Sequence, residues 1–380
     1  MMLAITNCIL VMTDHYIYDA TVLIEDGKIL DFGRKVQIPE GATVLDAKGK
    51  YVGPGLIDIH THAADNVLIQ EDPFKTSEVL LSHGVTDVLP ALYYSMNTAE
   101  YLEAIQTLKD AMATGKVNNI IGFYMEGPYL NPKYGANREN NPWKGPIDKA
   151  DYEQIVDAAG DLAKVWCIAP ERENIEAFVR YAKAKNPDSV FSVAHSEASP
   201  EQIEALLKYG LSLATHHTNA TGMLQKYPEC RSACVDEAAL YNNCIYTELI
   251  CDTVGIHVDP YMLRLVKKIK GDDRIILIAD AFVAGGPIPD GDLYEGAIDI
   301  NFDFAGEIAG SKMILDGACQ NMVKHTGASI CQVFKYASTN PATLLGLADR
   351  GRIERGNVAN LVIVDHLFHV ENVVLHGKLV

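Results

Sequence analysis

The feature that most constrains the fold is a series of short apolar runs that alternate with helical stretches through the middle of the chain. The runs are GLIDIH, GVTDVLPAL, NIIGFYMEG, VWCIAPE, VFSVAHS, LSLATHH and IILIADA. One intervening stretch, SPEQIEALLKYG, has Ser199 and Pro200 where a helix begins and Gly210 where it ends. Seven or eight strand–helix units predict an α/β fold, a TIM-like (β/α)8 barrel of about 250 residues. The alternative is an open doubly wound sheet, which is disfavoured because no GxGxxG motif follows an early strand.

Both ends of the chain have a different character. Asp26 and Gly27 separate two apolar runs, which is a strong signal for a β-hairpin. The C-terminal sequence GNVANLVIVDHLFHVENVVLHGKLV has the same strand–turn–strand pattern. We therefore predict a small β-sandwich domain formed by both termini, residues 1–53 plus 350–380, and a barrel domain over residues 54–349.

The net charge of −18 limits the classes of partner. Nucleic acids and anionic membranes both require a basic surface, so neither is expected to bind. The N-terminus has no basic leader, and its apolar run ends at Thr13 and Asp14, which favours a strand over a secretory signal. Eight scattered cysteines without zinc-finger spacing indicate reduced thiols in a cytoplasmic protein.

Side chains that can bind a metal stand at the ends of several apolar runs. They are His60, His62, Glu126, His195, His216 and Asp280. The carboxyl ends of barrel strands meet at one rim, so these side chains are expected to lie together. His60 and His62 are two residues apart, which on a strand directs both rings to the same face.

A single histidine at a strand end is usually a hydrogen-bonded core or surface residue. The joint occurrence at five strand ends is hard to explain by sheet packing and favours a metal site. Histidine with carboxylates suits zinc above all, with iron, cobalt or manganese as alternatives, and one or two ions are expected.

The motifs around these residues resemble a known family. PGLIDIHTH, from Pro54 to His62, resembles the first-strand signature of the amidohydrolase superfamily. The segments EGP at Glu126, VAHSEA, ATHHTNATGM, DTVGIHVD and LIADA resemble those of N-acetylglucosamine-6-phosphate deacetylases, in order and over most of the chain. The terminal strands fit that family's small β-sandwich.

The resemblance implies a role for each matched residue. Glu126, His195 and His216 hold the hydrolytic metal, and His60 with His62 hold a second one. Asp280 takes a proton from the attacking water and passes it to the leaving amine.

The resemblance also implies a substrate-binding set. His257, Asn219 and the backbone at Ala220 contact the sugar or its phosphate. Asn137 stands where relatives often have a histidine that assists carbonyl polarisation. The family's phosphate-binding arginine, which crosses a dimer interface, is replaced near this position by Lys226, with Arg231 close by.

The function expected from this resemblance is hydrolysis of N-acetylglucosamine 6-phosphate to glucosamine 6-phosphate and acetate by a homodimer. An alternative is another amidohydrolase reaction, on a different N-acyl amino sugar, a cyclic amide or a deaminase-type substrate. A third possibility, a binding protein without activity, is disfavoured because all six candidate ligands are present.

Overall fold

The computed structural model describes residues 2–136, 138–222 and 225–380. Its strands in chain order are β1 Met2–Val11, β2 Tyr16–Glu25, β3 Lys28–Gly33, β4 Thr43–Asp46, β5 Tyr51–Pro54, β6 Leu56–Thr61, β7 Ala63–Ala64, β8 Val67–Leu68, β9 Val85–Tyr93, β10 Phe123–Glu126, β11 Ala163–Ile168, β12 Val190–Val193, β13 Leu211–Ala214, β14 Gln225–Tyr227, β15 Cys230–Arg231, β16 Tyr246–Ile250, β17 Ile275–Ile278, β18 Ile300–Phe302, β19 Ile308–Ser311, β20 Leu361–Val364, β21 Val370–Leu375 and β22 Lys378–Leu379.

The α-helices are α1 Pro73–Ser82, α2 Thr98–Ala113, α3 Lys149–Ala159, α4 Ile175–Lys185, α5 Pro200–Leu207, α6 Val235–Tyr241, α7 Pro260–Lys270, α8 Leu315–Thr326, α9 Ile330–Phe334 and α10 Asn340–Leu344. A π-helical turn, Lys335–Thr339, joins the last two. Ser199 caps α5 as predicted, because its hydroxyl accepts a hydrogen bond from the main-chain N–H of Gln202. Within the described ranges, no helix is both long and apolar enough to cross a membrane.

Eight parallel strands form the barrel in the order β6, β9, β10, β11, β12, β13, β16, β17. One of the helices α1 to α8 follows each strand along the chain. Strands such as β6 and β17 are buried along their whole length, because helices cover one face and side chains fill the barrel on the other. The predicted (β/α)8 barrel is confirmed.

Main-chain hydrogen bonds join the first and last barrel strands at the carboxyl-end rim. The N–H of Asp280 donates to the carbonyl of His60 at 2.9 Å, and the N–H of His62 donates to the carbonyl of Ala281 at 2.9 Å. Three predicted site residues are therefore fixed by the contact that closes the barrel.

Strand β16 is absent from the seven runs that the sequence pattern identifies. Thr247 and Glu248 interrupt its apolar character, yet both are fully buried between β13 and β17. The strand was missed because its polar side chains find partners inside the barrel, which the sequence pattern cannot reveal.

The two chain ends form a separate eight-stranded sheet in the order β22, β21, β20, β5, β1, β2, β3, with β4 beside β1. The predicted hairpin joins β2 to β3, and its turn residues Asp26 and Gly27 have φ of 49° and 80°. The sheet has a hydrophobic core of its own. The boundaries predicted at residues 53/54 and 349/350 stay a prediction. Arg350 forms an ion pair with Asp87, a buried carboxylate at the start of β9.

Candidate metal centre and substrate pocket

Four predicted site residues come at the ends of barrel strands. Glu126 ends β10, and His195, His216 and Asp280 each lie two residues beyond β12, β13 and β17. These last three residues have φ of 42°, 30° and 46°. Non-glycine residues rarely adopt this left-handed region, and such backbone strain is concentrated at functional sites.

The first ligand group consists of Glu126, His195 and His216. Oε1 of Glu126 lies 2.8 Å from Nε2 of His195 and 3.4 Å from Nε2 of His216. The two Nε2 atoms are 3.1 Å apart. All three side chains are buried, so their potential ligand atoms face one small interior space.

The second ligand group consists of His60, His62 and Asp280. Oδ1 of Asp280 lies 3.5 Å from Nε2 of His60 and 3.3 Å from Nε2 of His62. The other ring nitrogen of His62, Nδ1, lies 2.9 Å from the carbonyl of Ala91. This contact holds the ring with Nε2 toward Asp280, which is the orientation that a metal ligand needs.

Glu126 connects the two groups. While its Oε1 faces the first group, its Oε2 lies 3.4 Å from Nε2 of His62 in the second group. The groups are therefore adjacent, and one carboxylate can serve either or both of two neighbouring ions.

Burial and contacts with histidines have opposite effects on the pKa values of the two carboxylates, Glu126 and Asp280. Burial raises the pKa of Glu126, but hydrogen bonds from His195 and His216 outweigh it and hold that pKa well below its usual range. Burial likewise raises the pKa of Asp280, while the charges of His60 and His62 lower it, and the net shift is downward. Both carboxylates are thus kept in the ionised form that binds cations.

These residues fit a divalent metal ion. Within each group, the candidate ligand atoms all lie within 4.8 Å of one another. Nε2 of His60 is buried and has no hydrogen-bond partner in the described part of the chain, which is costly unless another group binds it. Imidazole nitrogens combined with carboxylate oxygens are the ligands of zinc and related transition metals.

A pocket of about 640 Å³ opens above these groups. Its size is in the range for a small-molecule substrate. His62, Glu126, His195, His216 and Asp280 line it, whereas His60 lies beneath with no exposed surface.

His257 lies on the loop after β16 and reaches the pocket. Its Nδ1 is 3.0 Å from Oδ2 of Asp252. Asp252 also accepts main-chain N–H groups from Val254, Gly255, Ile256 and His257 at 2.5 to 3.1 Å. Burial raises the pKa of Asp252, but the hydrogen bonds from His257 and the loop lower it to about 2. Nε2 of His257 is buried beside the pocket and has no hydrogen-bond partner among the described residues.

Asn219 and Ala220 also line the pocket. The side-chain amide of Asn219 donates to the carbonyl of His257 at 3.0 Å, which ties the two binding loops together. Asn137, the other predicted carbonyl contact, lies outside the described residues. Of the predicted substrate-binding set, the structure thus brings Asn219, Ala220 and His257 to one pocket.

The two cations predicted for phosphate do not reach this pocket within the chain. Lys226 is exposed on the β14–β15 hairpin and is not among the pocket's lining residues. Arg231, on the same hairpin, forms an ion pair with Glu237. A role for Lys226 therefore requires a second copy of the chain and stays a prediction.

The structure adds pocket residues that the sequence analysis missed. Arg138 lines the pocket and forms a two-pronged ion pair with Glu307, at 2.6 and 2.8 Å. The rings of Tyr93 and Phe282 pack edge-on against the ring of His62, with ring centroids 5.8 and 5.3 Å from its centroid. Tyr93 ends β9, whereas Arg138 and Phe282 lie in connections far along the chain, and no local sequence signal connects the three.

Comparisons with known proteins support the resemblance to amidohydrolases that the sequence motifs indicate. Residues 296–380 match the family model described as "Amidohydrolase family". The N-acetylglucosamine-6-phosphate deacetylase of Haemophilus influenzae is 25% identical, covering 99% of this chain and 98% of the relative. The N-acetylgalactosamine-6-phosphate deacetylase of Escherichia coli O157:H7 is 27% identical, covering 90% of each. The crystal structure of N-acetylglucosamine-6-phosphate deacetylase from Pasteurella multocida superposes with a TM-score of 0.86 at 25% identity, covering 100% of both chains.

The resemblance to amidohydrolases of the deacetylase type, read from the sequence motifs, is thereby confirmed. The likeness extends over the barrel and the terminal sheet alike. The comparisons support a metal-dependent amidohydrolase, and the two ligand groups supply candidate sites for the divalent metal that such an enzyme needs.

Proposed function

We propose that this chain, a metal-dependent amidohydrolase in fold, site and relatives, hydrolyses the N-acetyl amide of an amino-sugar 6-phosphate. The expected reaction converts N-acetylglucosamine 6-phosphate and water to glucosamine 6-phosphate and acetate. The observation that carries the proposal is that both ligand groups, Asp280 among them, converge at the base of one pocket that His257 also lines. Whole-length relatives that are named as amino-sugar-phosphate deacetylases supply the substrate class.

The ligand groups define the reaction end of the pocket. Glu126, His195 and His216 would hold the hydrolytic metal, and His60 with His62 would hold a second. A divalent metal in such a site supplies Lewis-acid chemistry toward a carbonyl and activates water. Asp280 would accept the proton of the attacking water and then deliver it to the leaving nitrogen, as base and acid in turn.

The substrate end of the pocket has groups suited to a polar sugar. Nε2 of His257 makes no hydrogen bond within the described residues, and Asp252 holds the ring through Nδ1. A histidine backed by a carboxylate can donate a hydrogen bond to a phosphate or a sugar hydroxyl. Asn219 and the backbone of Ala220 would add contacts on the same side, and Asn137 would contact the acetyl carbonyl.

The metal identity, assembly and location belong to the proposal as well. Zinc is the expected metal, with iron, manganese or cobalt as alternatives, and one or two ions are expected. The chain would act as a cytoplasmic homodimer in which Lys226 of one protomer reaches the phosphate of its partner's substrate. Lys226 is exposed on its hairpin, as such a contact requires.

The experiment measures acetate release with added Zn²⁺, Mn²⁺ or Fe²⁺. The substrates are N-acetylglucosamine, N-acetylgalactosamine and N-acetylmannosamine, each with and without the 6-phosphate. We expect turnover of one 6-phosphate and little or none of the unphosphorylated sugars. His216→Asn should abolish it, whereas His217→Gln should not, because His217 lies outside the pocket with its Nδ1 3.6 Å from Asp236.

A second candidate substrate is N-acetylgalactosamine 6-phosphate. It is favoured by the Escherichia coli relative of that name, which at 27% identity is as similar to this chain as the N-acetylglucosamine-6-phosphate deacetylase of Bacillus subtilis. Turnover of none of the six sugars by metal-loaded protein would rule out both candidates and favour another N-acyl or cyclic amide.

A further inference from the structure

We propose that Glu248 is a positioning residue that orients one histidine from each ligand group through a single carboxylate oxygen. The inference rests on the proposed metal site, but it does not depend on which amide is hydrolysed. Glu248 lies in the middle of β16, has no exposed surface and belongs to neither ligand group.

One oxygen of Glu248 contacts both groups. Oε2 lies 3.1 Å from Nδ1 of His60, in the second group. The same atom accepts the main-chain N–H of His216, in the first group, at 3.1 Å. The other oxygen, Oε1, accepts the hydroxyl of Tyr124 at 2.9 Å, so the carboxylate cannot rotate without breaking a hydrogen bond.

At His60 the contact selects which nitrogen faces the metal site. With Nδ1 donating to Glu248, the lone pair of Nε2 points toward Asp280 and is free to bind a metal. The ring of Tyr124 stacks on the ring of His60, with centroids 4.2 Å apart and planes 21° from parallel. Glu248 therefore fixes the direction of the ring while Tyr124 fixes its plane.

At His216 the contact stabilises a strained turn. His216 has φ of 30°, a conformation that persists only where the surroundings hold it. Glu248 binds this turn twice, because its side chain accepts the N–H of His216 and its main-chain carbonyl accepts the N–H of His217 at 2.8 Å. The side chain of His216 is thereby aimed at Glu126.

Burying a carboxylate at this depth is costly, and packing alone does not explain it. The neighbouring polar groups beneath the site are hydroxyls and a thiol: the hydroxyl of Tyr124 lies 2.9 Å from that of Thr215, which also contacts Ser192 and the Sγ of Cys167. Among the described residues, the nitrogen donors to its carboxylate are the ring of His60 and the main-chain N–H of His216, each at 3.1 Å. The carboxylate of Glu248 is therefore placed to support the two ligand histidines, His60 and His216.

The test compares metal binding by the wild-type chain, Glu248→Gln and Glu248→Asp. The glutamine keeps the shape but removes the charge, whereas the aspartate keeps the charge and withdraws it by one methylene. Divalent metal content after dialysis and the Zn²⁺ dissociation constant by chelator competition are the readouts, with thermal unfolding of the metal-free proteins alongside. Loss of such a support typically weakens metal affinity about 10- to 100-fold, and we expect that loss in both variants.

Asp87→Asn is the matched control, because Asp87 is an equally buried acid of the barrel that pairs with Arg350 away from the site. It should lower the unfolding temperature and leave the Zn²⁺ dissociation constant unchanged. If Glu248→Gln does not fold, Glu248→Asp decides the question.

Wild-type metal affinity in a folded Glu248 variant would overturn the inference while leaving the hydrolase proposal intact. Weakened affinity in the variants, together with no turnover of any N-acetyl sugar by the wild type, would support the inference and refute the proposed substrate. A wild-type chain that binds no divalent metal would overturn both.

Discussion

At the scale of single residues, the site depends on how each ionisable side chain is held. Three histidine rings are oriented by a contact at Nδ1: His62 by the carbonyl of Ala91, His257 by Asp252 and His60 by Glu248. This arrangement leaves one nitrogen of each ring directed at the pocket or the metal site, where a fixed donor or acceptor contributes most.

Asp280 is the residue whose change should affect catalysis most. Asp280→Asn removes the group that would transfer protons, and we expect kcat to fall by about 10²- to 10⁴-fold. Metal content should be measured in the same samples, because Asp280 also contacts His60 and His62. Wild-type kcat in a metal-loaded Asp280→Asn protein would contradict the assigned role.

Asp252→Asn should loosen the loop that carries His257 and raise KM for the phosphorylated sugar. It should also change how stability depends on pH. The pKa of Asp252 is lowered from 3.8 to about 2 in the folded chain, so its ionised form stabilises that state by up to about 2 kcal/mol above pH 4. This contribution is lost as pH falls from 4 toward 2.

Urea unfolding of the metal-free proteins between pH 7 and pH 3 measures this effect. The difference in unfolding free energy between wild type and Asp252→Asn should be constant above pH 5 and shrink below pH 4. A difference that stays the same down to pH 3 would show that Asp252 acts without its charge.

At the scale of elements, the strand ends and the connections that follow them position the side chains of the candidate site. β19 lies directly against the turn that carries Asp280, since Ser311 donates its N–H to the carbonyl of Asp280 at 2.7 Å. Gly310 permits this approach, because a Cβ at that position would lie 2.5 Å from the same carbonyl oxygen, and its φ is +67°. The β18–β19 segment thus supports the turn of Asp280 as well as lining the pocket.

Gly310→Ala should therefore displace Asp280 and lower kcat by at least about tenfold, since small misplacements at a reacting centre are costly. Gly306→Ala is the matched control: it has φ of +79° in the same segment, but its nearest neighbour would be Pro289 at 3.7 Å. Both variants should lose some stability from the backbone strain. Equal kcat in the two would argue against the close approach as a determinant of activity.

At the scale of the whole molecule, two folded units share one chain. The terminal sheet has its own core, and buried Asp87 at the base of the barrel binds Arg350 in the segment leading back to that sheet. The two candidate ligand groups lie at the opposite, carboxyl-end rim of the strands.

Removing the metal should lower the unfolding temperature, because an ion that binds only the folded state stabilises it by mass action. Chelation followed by calorimetry should show the loss, and added Zn²⁺ should restore both the unfolding temperature and the turnover. The rise in unfolding temperature should become larger as the free Zn²⁺ concentration is increased. An unfolding temperature that is independent of Zn²⁺ would contradict binding at the two buried ligand groups.

The barrel, the sheet of the chain ends and the convergence of six ligand-type side chains could all be predicted from the amino-acid sequence. These features follow from local periodicity and from the rule that parallel strands end at one rim, so they can be read along the chain. Three features became visible only in the folded chain: Glu126 lies between the two groups, Glu248 contacts His60 and His216, and Lys226 lies outside the pocket of its own chain. The contacts of Glu126 with His62 and of Glu248 with His60 and His216 join residues 32 to 188 positions apart in the sequence. Whether a polar group is buried with a partner or exposed is set by packing rather than by its sequence neighbours.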